Sequence, residues 1–158
     1  MKTKTLILIL SFLILFGIAF IVIKKEKTII EEPIPVKLTQ PEFFLSDEPT
    51  DSLVLQACEY YGIKHPKIVL AQAILETGHY QSGGCKYDKN LFGLYNSKKG
   101  EFFKFDKWYQ SVEAYRNKIQ YRYDGTTDYY KWLEQIGYAE DTLYTQKLKQ
   151  IIKRYLNE

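Results

Sequence analysis

The sequence predicts a mainly α-helical domain with a short β-hairpin, preceded by an N-terminal apolar helix and an extended linker. Three features of the 158 residues support this division. Residues 5–23 carry no charge, residues 24–49 hold four of the five prolines, and all 14 tyrosines lie after residue 59. The balance of 46% hydrophobic and 26% charged residues is ordinary for a globular protein, and it excludes a wholly disordered or collagen-like chain.

Residues 1–23 are predicted to form an uncleaved anchor that crosses a membrane. As a helix, the uncharged run at 5–23 would be about 28 Å long, which matches the hydrocarbon core of a bilayer. A cleaved signal peptide is the alternative, because Gly17-Ile18-Ala19 fits a small-x-small cleavage site. The apolar run continues past this site to Ile23, which favours the anchor. Lysines flank the run on both sides, so charge leaves its orientation open.

Residues 24–49 are predicted to form a proline-rich linker. They contain no glycine and have four lysines and six acidic residues, a net charge of −2. Such a composition is typical of an extended, semi-stiff tether, which would reach about 80 Å in polyproline II geometry. The linker would therefore hold the following domain away from the membrane surface.

Residues 50–158 are predicted to fold as the helical domain, and its first two helices are well delimited. The pair Thr50-Asp51 can cap a helix that Gly62 ends. Pro66 suits the first position of a second helix, which Gly78 stops. This second helix is apolar around most of its circumference, so we expect it to be buried at the centre of the domain.

The rest of the domain is predicted to be a loop, a short β element and three helices. Residues 79–100 are rich in Gly, Asn, Lys and Ser, which is typical of a loop. Partial alternation of apolar and polar residues at 101–108 indicates one short strand or a hairpin. The three helices are expected to open at Ser111 and Asp128 and to include an apolar face from Tyr144 onward.

Charge and cysteine content exclude some classes of function. A net charge of +3 is too even for a dedicated nucleic-acid binder. Two cysteines and two histidines are too few for a cysteine-rich zinc site, so no metal is expected. No cofactor is implied either. Cys58 and Cys85 lie on either side of the second helix and could form a disulfide in an oxidising compartment, with two free thiols as the alternative.

The position of Glu76 in the sequence indicates a catalytic role. Its carboxyl group follows eight residues of the most apolar helix and lies in that helix's last turn. Burial raises the pKa of a carboxyl group, and the partial negative charge of a helix C-terminus acts in the same direction. Both effects keep the group protonated, as a general acid must be. A solvated or ion-paired glutamate is the alternative on position alone.

The run AQAILETGHYQSGGCKYDKNLFGLY at 71–95 resembles the core motif of the bacterial peptidoglycan glucosaminidases, glycoside hydrolase family 73. The segments KFDKWYQSV at 104–112 and GYAEDTLY at 137–144 resemble two further motifs of the family, in the family's order. The resemblance covers residues 52–156. It implies a lysozyme-like fold that hydrolyses β-1,4 bonds after N-acetylglucosamine in cell-wall glycan.

The resemblance also implies roles for individual residues. Glu76 would be the general acid, and Tyr138 would orient the substrate's acetamido group or the attacking water, with plain packing as the alternative. The residues expected to bind substrate are Asn90, Phe92, Gly93, Tyr109 and Asp141. The side chain of Asn90 is expected to bond either to substrate or to the neighbouring loop backbone.

The sequence departs from the family pattern at the second carboxylate that glycosidases commonly use. Glu101 is the possible second carboxylate, while Asp106 is expected to be solvated. Because neither matches the family well, we expect the substrate's own 2-acetamido group to assist the reaction. Aromatic side chains can stack on sugar rings, and the possible platforms are Tyr95, Trp108, Tyr109, Tyr129 and Tyr130.

The sequence thus predicts a monomeric, membrane-anchored hydrolase that acts on peptidoglycan outside the cytoplasm, or a secreted one if the N-terminal segment is cleaved. A glycan-binding module without activity and a lytic transglycosylase are the alternatives.

Overall fold

The computed structural model describes residues 40–156, and within them the chain is mainly helical. The predicted anchor and most of the linker therefore lie outside the described residues. No helix between residues 40 and 156 is both long and apolar enough to cross a bilayer. The α-helices are α1 (Asp51–Tyr60), α2 (Pro66–Thr77), α3 (Gly83–Lys86), α4 (Trp108–Lys118), α5 (Tyr129–Gln135) and α6 (Tyr144–Tyr155). Two 3-10 turns cover Glu42–Phe44 and Gln120–Arg122, and the strands are β1 (Tyr95–Asn96) and β2 (Glu101–Phe102).

Helix α2 is the buried centre of the domain, as its apolar sequence predicted. It packs chiefly against α6 and α1. Its fully covered side chains include Val69 and Leu70, and burying each such aliphatic side chain stabilises the fold by about 1.5–3 kcal/mol. Gln72 is also completely buried, in the middle of this apolar helix. A buried amide needs hydrogen-bond partners, and those of Gln72 prove important for the site.

The predicted helix caps are confirmed. The Thr50 hydroxyl accepts a hydrogen bond from the Leu53 amide at 3.3 Å, which caps α1. The Asp128 carboxylate accepts one from the Lys131 amide at 3.0 Å, which caps α5. Gly78 ends α2 in the left-handed conformation that glycine adopts without strain.

Helix α4 begins at Trp108, three residues before the predicted start at Ser111. The side chain of Gln110 folds back and accepts hydrogen bonds from the amides of Asp106 and Lys107. These two backbone N–H groups before the helix therefore have an acceptor. Ser111 is buried in the first turn instead, where its hydroxyl donates to the Trp108 carbonyl at 2.7 Å. The cap is provided by a glutamine, so the serine was a misleading signal.

The β element is a hairpin that is shorter than the alternation at 101–108 suggested. Tyr95 pairs with Phe102 and Asn96 with Glu101 in antiparallel register. The chain reverses through a turn that ends at Gly100, whose φ of +72° is one that glycine tolerates. The loop before the hairpin also contains the short helix α3, which the sequence did not predict.

Candidate active site

The side chain of Glu76 lines a cleft of about 370 Å³ between the hairpin and the segment after α5. The other residues that line the cleft are Phe92, Gly93, Leu94, Tyr95, Ile119, Arg122, Ile136, Gly137, Tyr138 and Ala139. Among these lining residues, all from the described part of the chain, Glu76 is the only acid and Arg122 the only cation. The cleft therefore presents one carboxyl group to a ligand.

The Glu76 side chain is more exposed than its helix predicted, because the cleft is open to solvent. Its carboxyl group is nevertheless partly withdrawn from water, and this burial raises its pKa above the ordinary value of 4.5. A hydrogen bond that Oε1 accepts from the Tyr144 hydroxyl, at 2.9 Å, acts in the opposite direction. Burial is the larger effect, so the pKa shift has the direction that the sequence predicted.

A directional chain of hydrogen bonds, buried except for its last bond, ends on Glu76. The Tyr144 hydroxyl accepts from Gln72 Nε2 at 3.3 Å and donates to Glu76. The other end of the same amide, Gln72 Oε1, accepts from the Tyr115 hydroxyl at 2.8 Å. Because the single proton of Tyr115 is used in this way, the bond of 2.9 Å between Tyr115 and Tyr129 is donated by Tyr129. We call this chain from Tyr129 to Glu76 the relay.

The relay continues at its far end to Gln120. The amide of Gln120 donates to the Tyr129 hydroxyl at 2.8 Å. Every buried side-chain nitrogen and oxygen in residues 40–156 has a hydrogen-bond partner, so the relay is fully satisfied. A fully satisfied buried network rigidifies the groups it connects. The Glu76 carboxyl group is therefore held from the protein interior through Oε1, and Oε2 remains toward the cleft.

Tyr138 lines the same cleft as Glu76. Its hydroxyl donates a hydrogen bond of 3.3 Å to the Phe92 carbonyl, and its ring lies 5.5 Å from the ring of Tyr144. Burial and the nearby carboxyl of Glu76 raise the pKa of Tyr138 well above its ordinary value. The phenol therefore keeps its proton, and its oxygen can still accept a hydrogen bond from a ligand.

Asn90 holds the turn that forms one wall of the cleft. Its side-chain amide donates to the carbonyls of Leu94 and Phe103, and its oxygen accepts from the Leu94 amide, at distances of 2.9–3.0 Å. Asn90 is 4% exposed. Of the two roles predicted for it, bonding to the neighbouring loop backbone is the one that the structure shows.

Gly93 and Phe92 bring this wall close to the acid. A Cβ atom on Gly93 would lie 3.7 Å from Glu76 Oε2, and the φ of Gly93 is +57°. Phe92 is buried, with its ring packed 4.6 Å from that of Tyr115. It therefore shapes the cleft through its backbone carbonyl and by supporting the relay.

Three other predicted residues do not line the cleft. Tyr109 packs instead on Phe43 and Phe44, at ring distances of 5.6 and 5.0 Å. Asp141 lies in an adjacent pocket, where it forms an ion pair of 2.5 Å with Lys147. Glu101 is exposed on β2, and Asp106 is exposed as predicted.

The predicted disulfide is absent from the structure. Cys58 and Cys85 are both free thiols and both buried, and burial raises the pKa of each, that of Cys58 to about 12. The loop after α2 is fixed in other ways. The Tyr80 hydroxyl donates to Asp51 at 2.8 Å, and Thr77 accepts from the Tyr80 amide. These bonds tie the loop to the start of α1 and to the end of α2 without a covalent link.

Of the predicted aromatic platforms, Tyr95 is the one that reaches the cleft. It is 54% exposed and pairs with the equally exposed Phe102, at a ring distance of 5.3 Å. Trp108 and Tyr129 are core residues, while the ring of Tyr130 lies under the Lys149 ammonium.

Sequence reasoning missed Arg122 and the roles of Tyr144 and Gln72. The signal for the relay was the glutamine in an otherwise apolar helix, since a buried amide needs partners. No group of three or more His, Cys, Asp or Glu side chains in the described chain could hold a metal ion.

Comparison with known proteins gives two matches. The family model described as mannosyl-glycoprotein endo-beta-N-acetylglucosaminidase, the Glucosaminidase model, matches residues 52–157. Among solved structures, the catalytic domain of the autolysin Auto from Listeria monocytogenes is 25% identical. That match has a TM-score of 0.50 and covers 67% of this chain and 80% of the other. No curated protein matches significantly.

Proposed function

The chain belongs to the glucosaminidase family, and from this premise we propose that it is an endo-β-N-acetylglucosaminidase that hydrolyses peptidoglycan glycan strands. The mainly helical domain with its small hairpin is consistent with a lysozyme-like catalytic domain. The observation that carries the proposal is the single carboxyl group of Glu76 in an open cleft, with a raised pKa.

Glu76 would act as the general acid. Its raised pKa favours the protonated form, which can transfer a proton to the leaving glycosidic oxygen. Oε1 is occupied by the Tyr144 hydrogen bond, so Oε2 on the side of Gly93 would carry the transferable proton. A proton on Oε2 leaves Oε1 free to accept from Tyr144 throughout the reaction.

The substrate's 2-acetamido group would replace a second catalytic carboxylate. The cleft wall contains no acid besides Glu76 within the described residues, and Glu101 is on the exposed hairpin. In a substrate-assisted reaction the acetamido oxygen attacks the anomeric carbon while the acid protonates the leaving group. Tyr138 lines the same cleft and would orient the acetamido group through its hydroxyl.

The remaining parts of the proposal concern location and partners. Residues 1–23 would anchor the protein in the cytoplasmic membrane, and the tether of residues 24–49 would end packed on the domain, where Phe43 is buried. The catalytic domain, residues 50–158, would then act outside the cytoplasm, where its polymeric substrate lies. We propose that it works as a monomer and needs neither a cofactor nor a metal.

Zymography on purified cell wall with the wild type and Glu76→Gln tests the activity. The wild type should clear the gel, and the variant should lose clearing while it still sediments with the wall. Equal clearing by both proteins would contradict the role of Glu76. Binding by both proteins without clearing would favour a glycan-binding module.

A lytic transglycosylase is the second candidate, because it too needs only one acidic glutamate on a lysozyme-like fold. The observation that favours it is that Glu76 is the lone acid among the described residues that line the cleft. Mass spectrometry of the products separates the two activities. Reducing N-acetylglucosamine ends would support the glucosaminidase, and anhydro-muramic ends would support the transglycosylase.

A further inference from the structure

A second pocket, of about 370 Å³, adjoins the cleft across the 3-10 turn Gln120–Arg122. It is lined by Gly62, Lys64, Arg116, Asn117, Gln120, Tyr121 and Tyr123. On one side of the turn, Ile119 and Arg122 face the cleft, and on the other Gln120 and Tyr121 face this pocket. We call it the basic pocket, because its lining holds two cations and no acid.

The cations of the basic pocket have no anionic partner in the described chain. Between residues 40 and 156, no carboxylate lies within ion-pair distance of Lys64, Arg116 or Arg122. The nearby Asp124 is occupied locally, since its carboxylate accepts hydrogen bonds from Thr126 and Thr127. These bonds lower the pKa of Asp124, and they use both of its oxygens.

The pocket is held in shape by two partly buried hydrogen bonds. The side chain of Gln120 accepts from the Lys64 amide at 2.7 Å and donates to the Lys64 carbonyl at 2.8 Å. These two bonds fix the loop before α2 beside the end of α4. A positive charge near the C-terminus of α4 interacts favourably with the helix dipole, and this stabilising role could account for Arg116 alone. It does not account for Lys64, which belongs to a different segment. The arrangement therefore brings cations from two elements to one concave site.

We infer that the basic pocket binds carboxylate groups of the stem peptide carried by the glycan strand in the cleft. This inference rests on the proposed function. An N-acetylglucosamine unit is neutral and gives unpaired cations nothing to neutralise, whereas the muramyl unit beside it carries a peptide with free carboxylates. Arginine binds carboxylates through paired hydrogen bonds, and lysine binds them as a point charge. Arg122 lines the cleft, and its guanidinium is 5.9 Å from the ring of Tyr121, which lines the basic pocket.

Binding measurements with the full chain in detergent test the inference. Glu76→Gln serves as the background, so that the strand is not cut. The pocket variant carries both Lys64→Ala and Arg116→Ala. The control variant carries both Lys86→Ala and Lys153→Ala, which remove the same charge at exposed sites elsewhere. The ligands are peptidoglycan freed of phosphate polymers and the same glycan after an amidase has removed its stem peptides.

The pocket variant should bind peptide-bearing glycan roughly tenfold more weakly, the combined effect of two ion pairs at a partly exposed site. Its binding to stripped glycan should be unchanged, and the control variant should bind both ligands as the background protein does. Lys64→Arg with Arg116→Lys should bind normally, because both charges are kept.

An equal loss on both ligands, or no loss on either, would overturn the inference. So would a loss that appears only when phosphate polymers are left on the wall, since these would then be the ligand. Digestion by the wild type is measured in parallel. If the pocket variant bound peptide-bearing glycan more weakly but the wild type digested no wall, the pocket's role in binding would stand and the proposed function would be contradicted. If the wild type digested the wall but the pocket variant bound as tightly as the background protein, the proposed function would stand and the inference would be overturned.

Discussion

The Tyr144 hydroxyl donates a hydrogen bond of 2.9 Å to Glu76 Oε1, although 68 positions separate the two residues in the chain. Tyr144 opens α6, Glu76 lies in the last turn of α2, and the packing of these helices brings them together. The bond has two consequences. It fixes which carboxyl oxygen of Glu76 faces the cleft. It also lowers the pKa of Glu76, which burial raises.

Tyr144→Phe removes this bond while keeping the ring. Because the bond lowers the pKa of Glu76, its loss should move the alkaline limb of the pH–activity profile to higher pH. The less firmly oriented carboxyl group should also reduce kcat by about fivefold, the effect of one hydrogen bond. Wall digestion measured across pH checks both effects. A loss of activity with an unmoved alkaline limb would indicate a structural role alone.

Glu76→Gln should raise the stability of the protein at neutral pH. The pKa of Glu76 is higher in the folded protein than the ordinary value of 4.5, so its ionisation favours the unfolded chain. This destabilisation appears as the pH rises from 4.5 through the folded-state pKa, and it is absent well below 4.5. Thermal melts of the variant and the wild type should therefore diverge at neutral pH and coincide in acid. The opposite order at neutral pH would show that the carboxylate is stabilised by the fold.

Gly93→Ala should reduce activity, in addition to the loss of folding stability that alanine causes at any position with a positive φ. The positive φ of Gly93 makes any side chain cost roughly 1–2 kcal/mol, and the new methyl group would lie 3.7 Å from Glu76 Oε2. The matched control is Gly125→Ala, because Gly125 also has a positive φ but has open space around it. Denaturant unfolding should show a similar loss for both variants, while wall digestion should fall in Gly93→Ala alone. Equal activity in the two variants would contradict the placement of this wall beside the acid.

Asn90→Ala should destabilise the turn that carries Gly93. The substitution removes three hydrogen bonds and leaves the buried amide of Leu94 without its partner, at a cost of about 1–3 kcal/mol. Asn90→Asp keeps an acceptor for Leu94 but places a buried carboxyl group against the carbonyls of Leu94 and Phe103, so it should be no more stable than Asn90→Ala. Urea unfolding checks the order of the three proteins. If Asn90→Ala were as stable as the wild type but bound glycan poorly, a direct role in substrate binding would be supported.

The sequence by itself determined the five longer helices of residues 40–156 and pointed to Glu76. Caps at Thr50 and Asp128 and stops at Gly78 act within a few residues, so they can be found in the chain without its fold. The order of the glucosaminidase motifs likewise identified the family and singled out Glu76. Where a local signal had a competitor, as with Gln110 and Ser111 at the start of α4, the prediction missed by three residues.

Only the tertiary structure decided what surrounds Glu76. The relay joins Gln72, Tyr115 and Tyr144, from three helices, and which polar groups meet depends on how those helices pack. The same packing left Tyr109 and Asp141 outside the cleft and brought Arg122 into it. Hydrogen bonds depend on distances of a few tenths of an ångström between residues far apart in the chain, and periodicity along the chain does not encode such distances.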